Sequence, residues 1–164
     1  SYWNLEKNKK NMIYNHELKL NSSKYLEINK NLIPTGKFKN IKKSIYDFSN
    51  FENIGKKLDY FKNKKFNTKF KGFDITFSVK KNLKNYVGTL KNNNTNIQVD
   101  FFSNLPGVQL YSAQNLNYKK KLFPYQGICL ETQYFPDAPN KKNFPSTLIK
   151  PNKRYTCFTK IKIN

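Results

Sequence analysis

Apolar and polar residues alternate through most of this chain, which is the spacing of half-buried β-strands. Phe73-Asp74-Ile75-Thr76-Phe77-Ser78-Val79 alternates cleanly, and 96–101 repeats the pattern with Ile97, Val99 and Phe101 on one face. Within 107–111, Val108 and Leu110 point inward, with Gln109 and Tyr111 opposite. Within 127–133, Ile128 and Leu130 share one side, and Cys129, Glu131 and Gln133 the other. Further strands are predicted at 16–20, 24–28, 86–90 and 154–163, separated by turn residues at Pro34-Thr35-Gly36, Asn92-Asn93-Asn94 and Leu105-Pro106-Gly107. One segment is helical: Phe51, Ile54, Leu58 and Phe61 follow a 3-4-3 rhythm, with Ser49 or Asn50 as N-cap. Many short alternating strands predict an all-β fold, an antiparallel β-sandwich or a barrel. No repeat or domain boundary interrupts the pattern.

A chain of 164 residues is long enough to bury a core without disulfides or metals. No apolar run approaches the roughly 18 residues of a membrane span, and no signal-peptide pattern opens the chain. A cytoplasmic protein with no membrane partner is expected. The formal net charge is +21, yet Arg154 is the only arginine among 31 basic residues. Phosphate and guanine recognition draws on arginine for bidentate contacts. The basic residues are also scattered, and asparagine is over-used beside them. A lysine-decorated surface without a nucleic-acid partner is therefore favoured over a polyanion-binding one. Cys129, Cys157 and the single histidine His16 are too few for a structural zinc site. Both cysteines fall in strand-like segments and are expected as reduced, buried thiols. The sequons at Asn21 and Asn93 are what chance yields in so Asn-rich a chain.

Alternation also points to chemistry. With the Ile, Leu and Val face on the core, the opposite face presents Asp74, Thr76, Gln109, Tyr111, Glu131 and Gln133. Carboxylates and amides pair with hydroxyls, and an aromatic ring covers the C–H side of a sugar. By pattern alone, an ordinary solvated strand face is the favoured reading of these residues. In 130–140, however, a glutamate within an apolar strand is followed by a Pro-bounded turn. Such a carboxylate is expected to lose hydration, with its pKa raised above about 4.3, as suits a general base. Pairing of Glu131 with a lysine is the competing expectation.

These segments carry a family resemblance. Cys129-Leu130-Glu131-Thr132-Gln133, with Phe135-Pro136-Asp137-Ala138-Pro139-Asn140 and Asn143-Phe144-Pro145-Ser146-Thr147, resembles the signature of aldose 1-epimerases (galactose mutarotases). Ser1-Tyr2-Trp3-Asn4-Leu5 is similar to that family's Ser-Tyr-Phe-Asn-Leu. His16-Glu17-Leu18 through Leu32-Ile33-Pro34-Thr35-Gly36 is similar to its His-x-Leu…Leu-Ile-Pro-Thr-Gly stretch. Tyr46-Asp47-Phe48 with Ile54-Gly55, Gly72-Phe73-Asp74, and Pro106-Gly107-Val108-Gln109-Leu110-Tyr111 follow in the family's order. Six matches in sequence are specific where each alone is modest.

The resemblance implies a large antiparallel β-sandwich with a sugar site on a concave sheet face, and interconversion of the α and β anomers of a free aldose such as galactose or glucose. By motif match Glu131 takes the place of the general base, and Asp74 that of the aspartate bonding sugar hydroxyls. Gln109 and Tyr111 fall among the substrate-binding residues. The implied reaction uses no metal or cofactor. The family's catalytic acid is the histidine just before the position of Ser1, and an upstream arginine and second histidine complete its sugar site. Residues 1–164 are thus expected to form the C-terminal part of one mutarotase domain, inactive alone, with the N-terminal part as partner. His16 matches a different family histidine, for which a structural role is expected. Ile75 stands where the family has histidine, at a position expected to face the core. The alternative is a catalytically silent carbohydrate-binding or sugar-sensing module of the same fold.

Overall fold

The computed structural model describes residues 1–8, 10–62, 71–117, 119 and 121–164. Two five-stranded antiparallel sheets pack face to face. The first runs, in spatial order, β10 (Thr159–Ile163), β7 (Ile97–Ser103), β6 (Tyr86–Asn92), β1 (His16–Leu20) and β4 (Glu52–Asn53). The second runs β3 (Pro34–Asn40), β2 (Ser22–Ile28), β5 (Asp74–Val79), β8 (Gly107–Tyr111) and β9 (Cys129–Gln133). A β-sandwich results. Its core joins Leu18, Leu20, Leu90, Val99 and Phe101 of the first sheet to Ile75, Phe77, Val108, Leu110 and Leu130 of the second. Each fully buried Leu, Val or Phe contributes about 1.5–3 kcal/mol, so alternation over several strands commits each sheet to one inward face. Ile75 is buried in this core, as expected.

Helix α1 (Ile54–Lys62) closes one end, burying Ile54, Leu58 and Phe61. Phe61 meets Phe73 edge-on, with ring centroids 5.1 Å apart. The cap differs from expectation: Asn53, not Ser49 or Asn50, accepts the Lys56 N–H at 2.8 Å. The reason is that the short strand β4 holds residues 52–53 extended until the helix begins. Phe51 is consequently left outside the buried helix face, its ring flanked by the ammonium groups of Lys19 and Lys91.

Three further expectations are corrected. Pro34-Thr35-Gly36 is no turn but the start of β3. The turn lies just before it, where the Asn29 side chain accepts the N–H groups of Asn31 and Ile33 and Leu32 takes a positive φ of 64°. The last strand spans only 159–163 of the expected 154–163. Cys157 is exposed and outside any strand, whereas Cys129 is buried in β9; both are free thiols.

The sandwich is uncovered along β10, although the hydroxyls of Thr159 and Thr132 join the start of this strand to β9. Ile161 and Ile163 pair with Phe101 and Val99, and directly paired residues lie on the same sheet face. Phe101 and Val99 are buried, yet Ile161 and Ile163 are 43% and 64% exposed. Inner-face apolar positions are therefore uncovered there, and among the described residues β9 and β10 each have a hydrogen-bonding edge without a full partner strand. Among the described residues no helix is long and apolar enough to cross a membrane.

Candidate active site

The outer face of the second sheet carries a cleft of about 450 Å³. Its floor follows from strand register. Thr76 of β5, Gln109 of β8 and Glu131 of β9 are direct neighbours in one row, and Asp74, Tyr111 and Cys129 form the next. Because side chains alternate along every strand, this register puts all six on one face. The four residues expected at the site from sequence, Asp74, Gln109, Tyr111 and Glu131, all line the cleft.

The walls come from elsewhere in the chain. The β2–β3 hairpin supplies Ile28, Leu32 and Pro34, the turn after β9 supplies Pro136, and Ser1 and Tyr2 close the end beyond β9. That turn is anchored by Phe135, which packs with Phe38, Phe144 and Leu26 in a small second core. Asp137 adopts a positive φ of 61° within it and pairs with Lys141 at 2.8 Å. Trp3 bridges to Ile128 through two backbone hydrogen bonds of 2.8 and 2.9 Å, which brings Tyr2 against Tyr111, with ring centroids 6.4 Å apart.

The polar groups are ordered. Thr76 Oγ1 donates to Gln109 Oε1, and Gln109 Nε2 donates to Asp74 Oδ1 at 2.7 Å. Tyr111 is held at its far end by the Asn115 N–H, which donates to its hydroxyl at 3.3 Å. Glu131 is exposed and makes no hydrogen bond or ion pair to any described residue. Neither the expected loss of hydration nor a lysine partner is present: the walls supplied by the hairpin, the turn after β9 and Tyr2 leave this carboxylate open to solvent. Burial, reinforced by the Glu131 charge, pushes the Cys129 thiol up to about 11. That thiol is a small neutral wall rather than a nucleophile. The Tyr2 hydroxyl is also raised, by burial first and then by Cys129, Tyr111 and Glu131.

A family model described as aldose 1-epimerase matches residues 1–162. The chain belongs to the aldose 1-epimerase family. Among relatives of this family, galactose mutarotase of Sus scrofa is 29% identical over 94% of the chain, and that of Pongo abelii 30% identical over the same share. Both alignments cover 45% of the relative, so the chain spans about half the length of the proteins it matches. A solved aldose epimerase homologue from C. elegans superposes with a TM-score of 0.80 at 20% identity, covering 99% of this chain and 48% of that one. Galactose 1-epimerase from Lactobacillus acidophilus gives a TM-score of 0.69 at 19% identity, over 93% and 45% of the respective chains. These likenesses establish the β-sandwich of aldose epimerases over about half of those structures.

His16 stands apart from the cleft. It lies in β1 of the other sheet, fully buried, and its Nε2 accepts the Leu5 N–H at 2.7 Å. The proton of the neutral ring is therefore on Nδ1, which has no hydrogen-bond partner among the described residues. Burial lowers its pKa to about 4, while the Glu6 charge and the Ile13 carbonyl pull the other way without offsetting it. Sequence reasoning did not single out Cys129, Tyr2, Leu32, Pro34 or Pro136 as cleft residues. Alternation signals Cys129, and Pro136 sits in the turn that directly follows β9; Tyr2, Leu32 and Pro34 arrive by long-range pairing that no local pattern records. Among the described residues no cluster of three or more His, Cys, Asp or Glu is arranged to hold a metal ion.

Proposed function

We propose that this chain forms the base-carrying part of an aldose 1-epimerase acting on aldohexoses such as galactose or glucose. The observation that carries the reading is that Asp74, Gln109 and Glu131 share one sheet face and line a cleft of about 450 Å³ in a member of this family. Glu131 takes the proton from the anomeric hydroxyl as the bond between C1 and the ring oxygen breaks. An acid delivers a proton to that oxygen at the same time. The open-chain aldehyde turns about C1–C2, and closure on its other face regenerates both protonation states. Asp74 and Gln109 hold the ring hydroxyls, and the Tyr111 ring offers a face to the C–H side of the sugar.

The acid in this reading is the histidine that precedes the position of Ser1 in the family's motif. Ser1 lines the cleft, so a residue bonded to its nitrogen would enter the site from that wall. Residues 1–164 would then be the C-terminal part of one domain, with the complementary part covering the open side of β9 and β10. That neighbouring wall would also withdraw water from Glu131.

One observation favours a second reading, a sugar-binding module without turnover: Glu131 is exposed, and a solvated carboxylate binds hydroxyls without being tuned as a base. Polarimetry on fresh α-galactose or α-glucose separates the two, using this chain together with the complementary part. Glu131→Gln keeps shape and hydrogen bonding but removes the proton acceptor. A loss of about 10²–10⁴-fold, mainly in kcat, is expected. Turnover of the variant at the parent's rate would remove Glu131 from the role, and a parent no faster than the spontaneous reaction would leave the binding module.

A further inference from the structure

We infer that Thr76 is a positioning residue that holds Asp74 for the sugar, acting through Gln109; the inference rests on the sugar reading above. The three side chains form one hydrogen-bonded chain across β5 and β8: Thr76 Oγ1 to Gln109 Oε1, then Gln109 Nε2 to Asp74 Oδ1. Its direction follows from the carboxylate. An ionised aspartate only accepts, so the amide of Gln109 must turn its NH2 toward Asp74. Its carbonyl oxygen then faces Thr76, and a hydroxyl, unlike a methyl, can donate to it.

The consequence lies in what is left free. With Oδ1 occupied, Asp74 presents Oδ2 to a ligand, while the Gln109 amide keeps one N–H and one lone pair. Donor and acceptor thus stand side by side opposite Glu131, as vicinal hydroxyls require. Thr76 itself is only 3% exposed, whereas Asp74 and Gln109 are partly open. Its hydroxyl acts on its neighbour from beneath, rather than on the sugar. Without it, the Gln109 carbonyl loses its partner at the cleft floor, and the amide is free to swing away from Asp74. This ordering belongs to the bound ground state and the transition state alike, so it affects binding more than the chemical step.

The test uses this chain with its complementary part. Thr76→Val, nearly isosteric, should raise KM and the calorimetric Kd for galactose about five- to tenfold, with kcat within about twofold. Thr76→Ser should restore both. In a Gln109→Met background Thr76→Val should add no further loss, because the link it acts through is gone. If Thr76→Val fails to fold, Thr76→Ala carries the same expectation. An active parent whose KM does not change in the variant, a variant that Ser does not rescue, or an undiminished effect beside Gln109→Met would each overturn the inference alone. A parent that neither binds nor mutarotates sugar would overturn the sugar reading and this inference with it.

Discussion

Acidification should destabilise this fold through His16. The imidazole is fully buried, its Nε2 accepts the Leu5 N–H, and its pKa is lowered to about 4 from the ordinary 6.5. Protonation would place a proton on Nε2 against another donor, breaking the 2.7 Å bond and burying a charge. An unfolded chain takes up this proton as pH falls through about 6.5, whereas the folded chain resists until about 4. The contribution is therefore fully present above the unfolded pKa and lost as pH falls toward the folded one. At 1.36 kcal/mol per pH unit, the gap between 6.5 and about 4 gives about 3 kcal/mol at full loss, most of it by pH 4.5. Carboxylates held low by their partners, such as Glu6 by the amides of Asn92, Asn15 and Asn11 and Asp47 by Ser49, also lose stabilisation in acid. Their loss comes mainly below about pH 4.5, as they titrate, so the window from 6.5 to 4.5 reports the histidine. The assay is urea unfolding, followed by fluorescence at pH 7.0, 5.5 and 4.5, of this chain with its complementary part. His16→Gln, whose carbonyl can accept the Leu5 N–H but does not titrate, is the control. The variant should start less stable and lose about 2–3 kcal/mol less across that window. Parallel pH slopes for parent and variant would refute the argument.

Asp74→Asn should weaken sugar binding about tenfold or more with the fold intact, since a hydrogen bond to a charged acceptor contributes about 1.5–3 kcal/mol; unchanged calorimetric affinity would remove Asp74 from the site. Residues 1–164 expressed alone should show no mutarotation by polarimetry and should aggregate, because Ile161, Ile163 and the edges of β9 and β10 are uncovered. Co-expression with the complementary part should restore solubility and activity, and a monodisperse, active product from residues 1–164 alone would overturn this.

Alternation in 73–79, 107–111 and 127–133 determined which side chains share a face, and so grouped Asp74, Gln109, Tyr111 and Glu131 by local pattern alone. A period of two is a local property: once one face is apolar, burial leaves the other face no choice. The helix was legible for the same reason, since Ile54, Leu58 and Phe61 are spaced to meet a core. Its cap was not, because Asn53 becomes the cap only when β4 pairs with β1 and holds the preceding residues extended. Strand β3 was hidden behind Pro34 and Gly36, which read as a turn until pairing with β2 draws them into a sheet edge. The exposure of Glu131 likewise lay beyond local pattern. Hydration of a side chain depends on which distant segments wall it, and here Tyr2, Leu32 and Pro136 reach the cleft from three separate parts of the chain while leaving that carboxylate open. The existence of the Thr76–Gln109–Asp74 chain was decided only by register: the three residues sit on two strands, and only their pairing brings a donor, an amide and a carboxylate into line.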